Sequence, residues 1–285
     1  MRVAPPHIRK TRTTADVMGD VCIALIPTIL AAVWFFRIDA LLRLTLAAVC
    51  SLVAGRLTGK RDGPDLAALV SGLILCLSCP SQTPLWLLVG GCFFAVCVVR
   101  DGFGGIGQNL FNPAMAARGL MLAIFPSQLT GFGLPGALSS ATPLVGDASL
   151  FDLVVGRIGG SMGETSALII AIGLAWLLIR RVIRWHIPLL SLAGFSLLTL
   201  LAGEPLLPAL FSGGLLFGAV FVFTDYTTKP ITLAGEIAFA LAVGVLTAVL
   251  RFYGPYPEGV CFAVLAMNLV APLFEFLTIP KGVSQ

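Results

Sequence analysis

Charged residues are scarce in this sequence. Asp, Glu, Lys and Arg make up 11% of the 285 residues, whereas 58% of the residues are hydrophobic. A soluble domain carries roughly 25% charged residues, and a soluble fold of this length could not remove so much apolar surface from water in one core. The composition therefore excludes an ordinary soluble domain and predicts a protein that lies in a lipid bilayer.

Histidine is almost missing as well. His7 and His186 are the only two, and both lie in basic segments. Because no His and Glu share the spacing of a metal site and no Ser, His and Asp can be placed together, metal-dependent and hydrolytic chemistry are not indicated. The seven cysteines are an odd number within apolar segments, which argues against a disulfide framework. A net charge of +4 is too small to indicate nucleic-acid binding.

Long apolar runs dominate the sequence. Divided at Gly, Pro and polar turn signals, they predict an all-α integral membrane protein of about ten transmembrane helices. The predicted spans are residues 17–36, 40–57, 66–79, 84–99, 110–125, 166–179, 187–202, 206–224, 231–250 and 259–279. Several are shorter than the roughly 20 residues that a perpendicular span needs. Short or interrupted helices, as in the fifth and eighth spans, often line a cofactor or ion site.

The spans fall into two halves of five. Residues 1–126 form the first membrane half, residues 127–163 an external loop, and residues 164–285 the second half. An odd number of spans per half would invert one half relative to the other, which is the arrangement of an inverted repeat, although no strong sequence repeat is visible. With ten spans, 13 of the 18 basic residues lie on one side and 4 on the other. The positive-inside rule then places both termini in the cytoplasm.

Ionisable residues at membrane depth are candidates for function because they are costly there. Asp20 lies in the first span and Asp225 ends the eighth, and their short side chains predict an ion path for a cation or a proton. Arg118 lies near the middle of the fifth span, where an internal ion pair and a cofactor or phosphate contact are equally consistent with the sequence. Glu236 and Glu275 are expected to lie at the membrane interface and reach water.

Two polar breaks lie on the same predicted face, one in each half. Residues 102–113 contain four glycines together with Asn109 and Asn112 where the fifth span begins, and residues 224–230 form the second break. Glycines allow close approach of a ligand to the backbone, and amides at a helix start can bind polar ring edges or anions. An ordinary turn with an asparagine cap before Pro113 explains the first break equally well.

These segments, taken in order, resemble the RnfD subunit of the Rnf electron-transport complex, a family homologous to the NqrB subunit of the sodium-translocating NADH:quinone reductase. The resemblance covers nearly the whole chain and rests on several short motifs at matching spacing. The motifs are residues 6–9, 107–115, 139–144, 163–167, 223–230 and 256–260.

The resemblance implies covalent flavinylation. Members of the family carry FMN through a phosphoester bond to the threonine of a Ser-Gly-Ala-Thr motif, and Ser140, Ala141 and Thr142 match it except that Ser140 stands where the family has glycine. Thr142 is therefore the expected FMN attachment site, in the predicted external loop. A small alanine beside the target leaves room for a flavin transferase, and Pro143 restricts the local backbone.

The resemblance also implies a second, non-covalent flavin, riboflavin, in the membrane body. Asn109 and Asn112 are the residues that we assign to it, and Arg118 is a candidate contact for either flavin. The expected protein is a subunit of a redox-driven ion translocase in the cytoplasmic (inner) membrane of a bacterium or archaeon. Its expected partners are other Rnf subunits, including a second flavinylated subunit and iron–sulfur subunits.

Two other classes of protein are consistent with ten spans in two halves. One is a secondary transporter without redox chemistry, and the other is a structural subunit that scaffolds its partners. A covalently bound flavin at Thr142 distinguishes the redox subunit from both. No complete redox activity is expected of this subunit alone, because the chain has neither a dinucleotide-binding fingerprint nor an iron–sulfur ligand set.

Overall fold

All regular structure in the described part of the chain is helical. The computed structural model describes residues 12–59, 65–130, 160–164, 166–254 and 259–279. Within these ranges the α-helices are α1 (Thr14–Thr58), α2 (Leu66–Ser78), α3 (Leu85–Phe93), α4 (Pro113–Ile124), α5 (Pro126–Leu129), α6 (Ala167–Ile179), α7 (His186–Leu201), α8 (Leu206–Phe211), α9 (Leu215–Phe221), α10 (Leu233–Tyr253) and α11 (Val260–Thr278). A π-helical segment, Phe94–Arg100, continues α3.

Helix α1 contains the first two predicted spans in one 45-residue element. Arg37 interrupts it with φ 52° and ψ −126°, which are not helical angles. The interruption falls between the predicted spans 17–36 and 40–57, as the sequence indicates. The helix begins at a capping box, in which the Thr13 hydroxyl accepts from the Asp16 N–H and the Asp16 carboxylate accepts from the Thr13 N–H.

Three of the described helices, α1, α10 and α11, are long and apolar enough to cross a membrane. The remaining apolar helices are shorter, so the number of spans stays a prediction, as does the inverted repeat. The interruption that the sequence predicts in the eighth span is confirmed. Helices α8 and α9 share that region, and Gly213, with φ 68°, lies between them in a conformation that glycine adopts at low cost.

The helices pack in a chain of neighbours that joins the two halves. Helix α1 lies against α2 and α3, and also against α6 from the second half, whereas α10 packs between α7 and α11. Helix α11 in turn contacts α4 of the first half. The apolar core therefore runs through both halves, and the ends of α2, α4, α6 and α9 meet around one cavity beside the start of α1.

Glycines set the close crossing of α7 and α10. A Cβ atom built on Gly194 would lie 2.5 Å from the Leu241 carbonyl oxygen, and one built on Gly244 would overlap the Ser191 carbonyl oxygen. Both obstacles are backbone atoms that cannot rotate away. The two helices can approach this closely only because neither glycine has a side chain, which is a common basis of helix association in membranes.

Replacing Gly244 with alanine is expected to destabilise the protein by about 1–3 kcal/mol, because the added methyl group forces α7 and α10 apart. The measurement is the thermal unfolding midpoint of the purified chain in detergent. Gly90→Ala is the matched control, since Gly90 lies in α3 with no atom within 4 Å of a built Cβ. An unfolding midpoint that stays the same in Gly244→Ala would contradict the packing described.

Candidate functional site

The first polar break forms a glycine turn that connects the π-helical segment to α4. Gly104, Gly105 and Gly107 have φ angles of 111°, 100° and 89°, which residues other than glycine rarely adopt. A π-helical segment is uncommon and often marks a functional site. This turn places Asn109 and Asn112 at the start of α4, where both side chains are buried.

Asn112 caps α4, as the alternative of an ordinary turn predicts, and it also contacts the second polar break. Its Oδ1 atom accepts from the Met115 N–H at 3.2 Å and caps α4, with Pro113 in the first turn. Its Nδ2 atom donates to the Asp225 carboxylate at 2.9 Å. One side chain thus connects the polar break of the first half to the polar break of the second.

Asn109 connects the same two breaks. Its Oδ1 atom accepts from the Gly107 N–H at 3.2 Å, and its Nδ2 atom donates to the Phe111 carbonyl at 3.0 Å and to the Thr227 hydroxyl at 3.3 Å. The two polar breaks, residues 102–113 and 224–230, therefore contact each other in the fold.

Asp225 is the acceptor at the centre of this network. Its carboxylate accepts from Asn112 at 2.9 Å, from the Thr227 N–H at 3.0 Å, from the Thr227 hydroxyl at 2.8 Å and from the Thr228 hydroxyl at 3.4 Å. Asp225 lies in the connection between α9 and α10, and its side chain is half-buried. No Lys or Arg of the described residues forms an ion pair with it.

Asn268 is a member of this site that reasoning from the sequence missed. It lies in α11, is 2% exposed, and, with its amide oxygen facing α4, accepts from the Asn112 N–H at 2.9 Å while its amide nitrogen donates to the Val264 carbonyl at 3.3 Å. An asparagine in the middle of the apolar run 259–279 was the available signal, because a polar amide in a membrane span needs a hydrogen-bond partner.

Asn109, Asn112, Asp225 and Thr227 border an interhelical cavity that is partly open to solvent. Aliphatic residues of α1, α2 and α6, among them Val17, Val70 and Leu177, form one wall. Asn109, Asn112, Asp225, Thr227 and Arg100 are among its polar lining residues. An apolar wall facing a polar end suits a flat ring system with one hydrogen-bonding edge.

Arg100 ends the π-helical segment and is 2% exposed. Its guanidinium forms ion pairs of 2.7 Å with both Asp65 and Asp101, and Asp101 also accepts from the Thr58 hydroxyl. These contacts join the ends of α1, α2 and the π-helical segment. In the sequence, Arg100 is notable only as one of the basic residues on the predicted cytoplasmic side. Its ion-pair partners give no local signal, because Asp65 is distant in the chain and Asp101 is simply the next residue.

Asp20 is buried at 4% exposure, outside the set of residues that line the cavity. One carboxylate oxygen accepts from Arg180 Nε at 2.9 Å and the other from Arg12 Nη2 at 2.8 Å. The positive-inside rule predicts both basic partners on the cytoplasmic side, and the structure brings them together at one end of α1. The assignment of Asp20 to an ion path stays a prediction.

The expectation that Glu236 reaches water is wrong. Its side chain is 1% exposed and forms ion pairs with Arg184 at 2.8 Å and with Lys229, and it contacts His186 at 2.9 Å. The partners come from α7, from the turn before it and from the polar break 224–230. Three neighbours with positive or ionisable groups keep this carboxylate buried, an arrangement that spans distant segments and is invisible in the local sequence.

The remaining predicted site residues lie elsewhere. Arg118 is buried in α4 at 3% exposure and is not among the residues that line the cavity. Ser140, Ala141 and Thr142 fall outside the described residues, so the flavinylation site stays a prediction. The structure therefore brings together three predicted site residues, Asn109, Asn112 and Asp225.

Known proteins resemble this chain over almost all of its length. The NQR2, RnfD, RnfE family matches residues 2–284. The D subunit of the Na⁺-translocating ferredoxin:NAD⁺ oxidoreductase complex of Acetobacterium woodii is 36% identical, over 96% of this chain and 92% of the relative. The D subunit of the ion-translocating oxidoreductase complex of Stutzerimonas stutzeri is also 36% identical, over 95% of this chain and 92% of the relative.

A third relative is named for a different ion. The D subunit of the proton-translocating ferredoxin:NAD⁺ oxidoreductase complex of Clostridium ljungdahlii is 33% identical, over 96% of this chain and 93% of the relative. A family match that covers nearly every residue agrees with the order and spacing of the sequence motifs. The chain belongs to the NQR2, RnfD, RnfE family.

Proposed function

We propose that this chain is the D subunit of an ion-translocating ferredoxin:NAD oxidoreductase complex, in which it passes electrons through bound flavin and couples their transfer to sodium or proton translocation. The observation that carries the proposal is the identity of 33–36% to D subunits of ion-translocating oxidoreductase complexes over at least 95% of the chain, two of which are named ferredoxin:NAD⁺ oxidoreductases. The other Rnf subunits, including a second flavinylated subunit and iron–sulfur subunits, would be its partners in the bilayer.

Thr142 is the proposed attachment point of FMN. The support comes from the sequence, since Ser140, Ala141 and Thr142 occupy the position and, except at Ser140, have the residue types of the flavinylation motif. A hydroxyl at this position is required because its oxygen forms the phosphoester bond. In its bound state a flavin supplies exchange of one or two electrons, which a polypeptide without a cofactor cannot provide.

The interhelical cavity is the proposed place for a second flavin, riboflavin. Its lining suits such a ring, since the Asn109 and Asn112 amides lie at the polar end and Val17, Val70 and Leu177 belong to the apolar wall. Asn112 keeps one amide N–H beyond the one donated to Asp225, whereas both N–H groups of Asn109 are used within the protein. The amides are held in place by α4 and by Asp225, so they need little reorganisation when a ligand binds. Arg118 is not among the residues that line this cavity and is not assigned to the ligand.

Asp225 is the stronger of the two candidates for contact with the translocated ion. Its half-buried carboxylate accepts hydrogen bonds only from neutral groups of the described residues, so a cation or a proton can still compensate its charge. Asp20 already has two arginine partners. The relatives are named for sodium and for protons, and a carboxylate oxygen can coordinate the first and accept the second.

Deletion and complementation test the proposal. Membranes from cells that lack this chain are expected to reduce NAD with reduced ferredoxin only at background rate, and expression of the full chain should restore the rate. The control is expression of the same chain in membranes that lack another subunit of the complex, which should restore nothing. A rate that is unchanged by deletion would exclude the proposed function.

A further inference from the structure

Arginines and a tryptophan occupy the short connection between α6 and α7. We call residues 180–185 the basic turn, because Arg180, Arg181 and Arg184 all lie on it. Arg180 and Arg184 have side-chain exposures of 47% and 55%, and Arg181 is exposed as well. Three long cationic side chains on one six-residue segment create a dense positive surface.

Two of these arginines form ion pairs with buried carboxylates. Arg180 pairs with Asp20, which it shares with Arg12, and Arg184 pairs with Glu236, which it shares with Lys229. These contacts fix the position of the two guanidinium groups but leave about half of each side chain open to the outside. Their geometry is therefore organised before any ligand arrives.

Positive charge exceeds negative charge in this cluster. The side chains of Arg12, Arg180, Arg184 and Lys229 share two carboxylates. Arg181 adds a further cation, and its guanidinium forms no ion pair or hydrogen bond with any of the described residues. Arg181 also has φ 52°, a conformation that a residue with a side chain seldom adopts and that is often associated with function.

Exposed apolar side chains lie on and beside the basic turn. Ile179 at the end of α6 is 76% exposed, Trp185 is 64% exposed and Leu189 in α7 is 56% exposed. The Arg180 guanidinium lies 5.8 Å from the ring centre of Trp176. Exposed tryptophan beside arginine at the end of an apolar helix is typical of the membrane–water boundary. This pattern therefore predicts that the positive surface faces lipid headgroups.

We propose that the basic turn binds the phosphate headgroup of an anionic phospholipid. Guanidinium groups match phosphate oxygens with paired hydrogen bonds, and basic sites between transmembrane helices bind acidic lipid headgroups. The exposed Ile179, Trp185 and Leu189 favour a lipid over a soluble phosphate, since they give the acyl chains an apolar surface beside the arginines. Arg181 is the residue that we expect to bind the headgroup phosphate through its charge.

Native mass spectrometry of the full chain in detergent tests the proposal with phosphatidylglycerol and phosphatidylcholine of identical acyl chains. The wild-type chain should bind phosphatidylglycerol more tightly, and Arg181→Gln should weaken that binding about fivefold while phosphatidylcholine binding stays unchanged. Arg181→Lys should retain part of the preference because it keeps the charge. Arg56→Gln is the matched control, since Arg56 is exposed at the end of α1 on the same predicted side and should bind as the wild type does.

Equal phosphatidylglycerol affinity in the wild type and in Arg181→Gln would overturn the proposal. So would an equal loss in Arg56→Gln, because general attraction to the net charge would then explain the binding. If Arg181→Gln binds lipid normally but no longer copurifies with the other subunits, the basic turn contacts a protein and the lipid assignment is wrong. Size-exclusion profiles of the variants establish that each remains folded.

Discussion

Thr142→Ala is expected to abolish the fluorescent flavin band that the wild-type chain shows in a denaturing gel when it is produced together with an active flavin transferase. Denaturation releases bound flavin unless a covalent bond retains it, and alanine has no hydroxyl oxygen with which to form the phosphoester. The effect should be complete rather than graded. Electron transfer from ferredoxin to NAD in membranes should fall to the rate measured without this chain.

Two controls isolate the hydroxyl at position 142. Thr142→Ser keeps the oxygen and should retain labelling, whereas Ser140→Ala removes a neighbouring hydroxyl and should leave the band intact. A band that persists in Thr142→Ala would show that the flavin is attached to another residue. A wild-type chain without a band would contradict covalent flavin attachment. Full electron transfer in an unlabelled Thr142→Ala complex would favour a scaffold subunit.

Local sequence signals predicted the helices well. Apolar runs and Gly or Pro breaks placed nearly all helix ends within a few residues, including the interruption of α1 at Arg37 and the division between α8 and α9. Such features depend on residues close together in the chain. The close crossing of α7 and α10 at Gly194 and Gly244 depends on two segments at once, and nothing in either run alone distinguishes these glycines from others.

The candidate site likewise has residues that local sequence signals predict and residues that they do not. Asn109, Asn112 and Asp225 were found because polar residues in apolar surroundings stand out locally, and the two breaks do meet in the fold. Their partners were harder to identify, since Asn268 comes from α11 and Arg100 takes its role from Asp65 and Asp101. The prediction for Glu236 is wrong because its burial depends on partners that come from separate elements. Hydrophobic patterning identifies polar residues that are costly to bury, but it does not identify the partners that offset this cost.

Asp225→Asn is expected to remove ion translocation while leaving flavin attachment at Thr142 intact. The substitution keeps the shape of the side chain but takes away the charge that a cation or proton would compensate. At an effective dielectric constant of about 20, a unit charge about 4 Å away is worth roughly 4 kcal/mol, which corresponds to about a thousandfold in ion affinity. Ion uptake per NAD reduced should therefore collapse in reconstituted vesicles, measured for both sodium and protons.

Asp39→Asn is the matched control for that experiment. It makes the same chemical change at a carboxylate with 69% side-chain exposure on the opposite side of the predicted membrane, where water already compensates the charge, so uptake should stay normal. Measuring NAD reduction with an ionophore present separates a lost ion contact from a lost redox step. Normal uptake stoichiometry in Asp225→Asn would exclude this carboxylate from the ion path. The remaining candidate, Asp20, could then serve only by exchanging one of its two arginine partners for the ion.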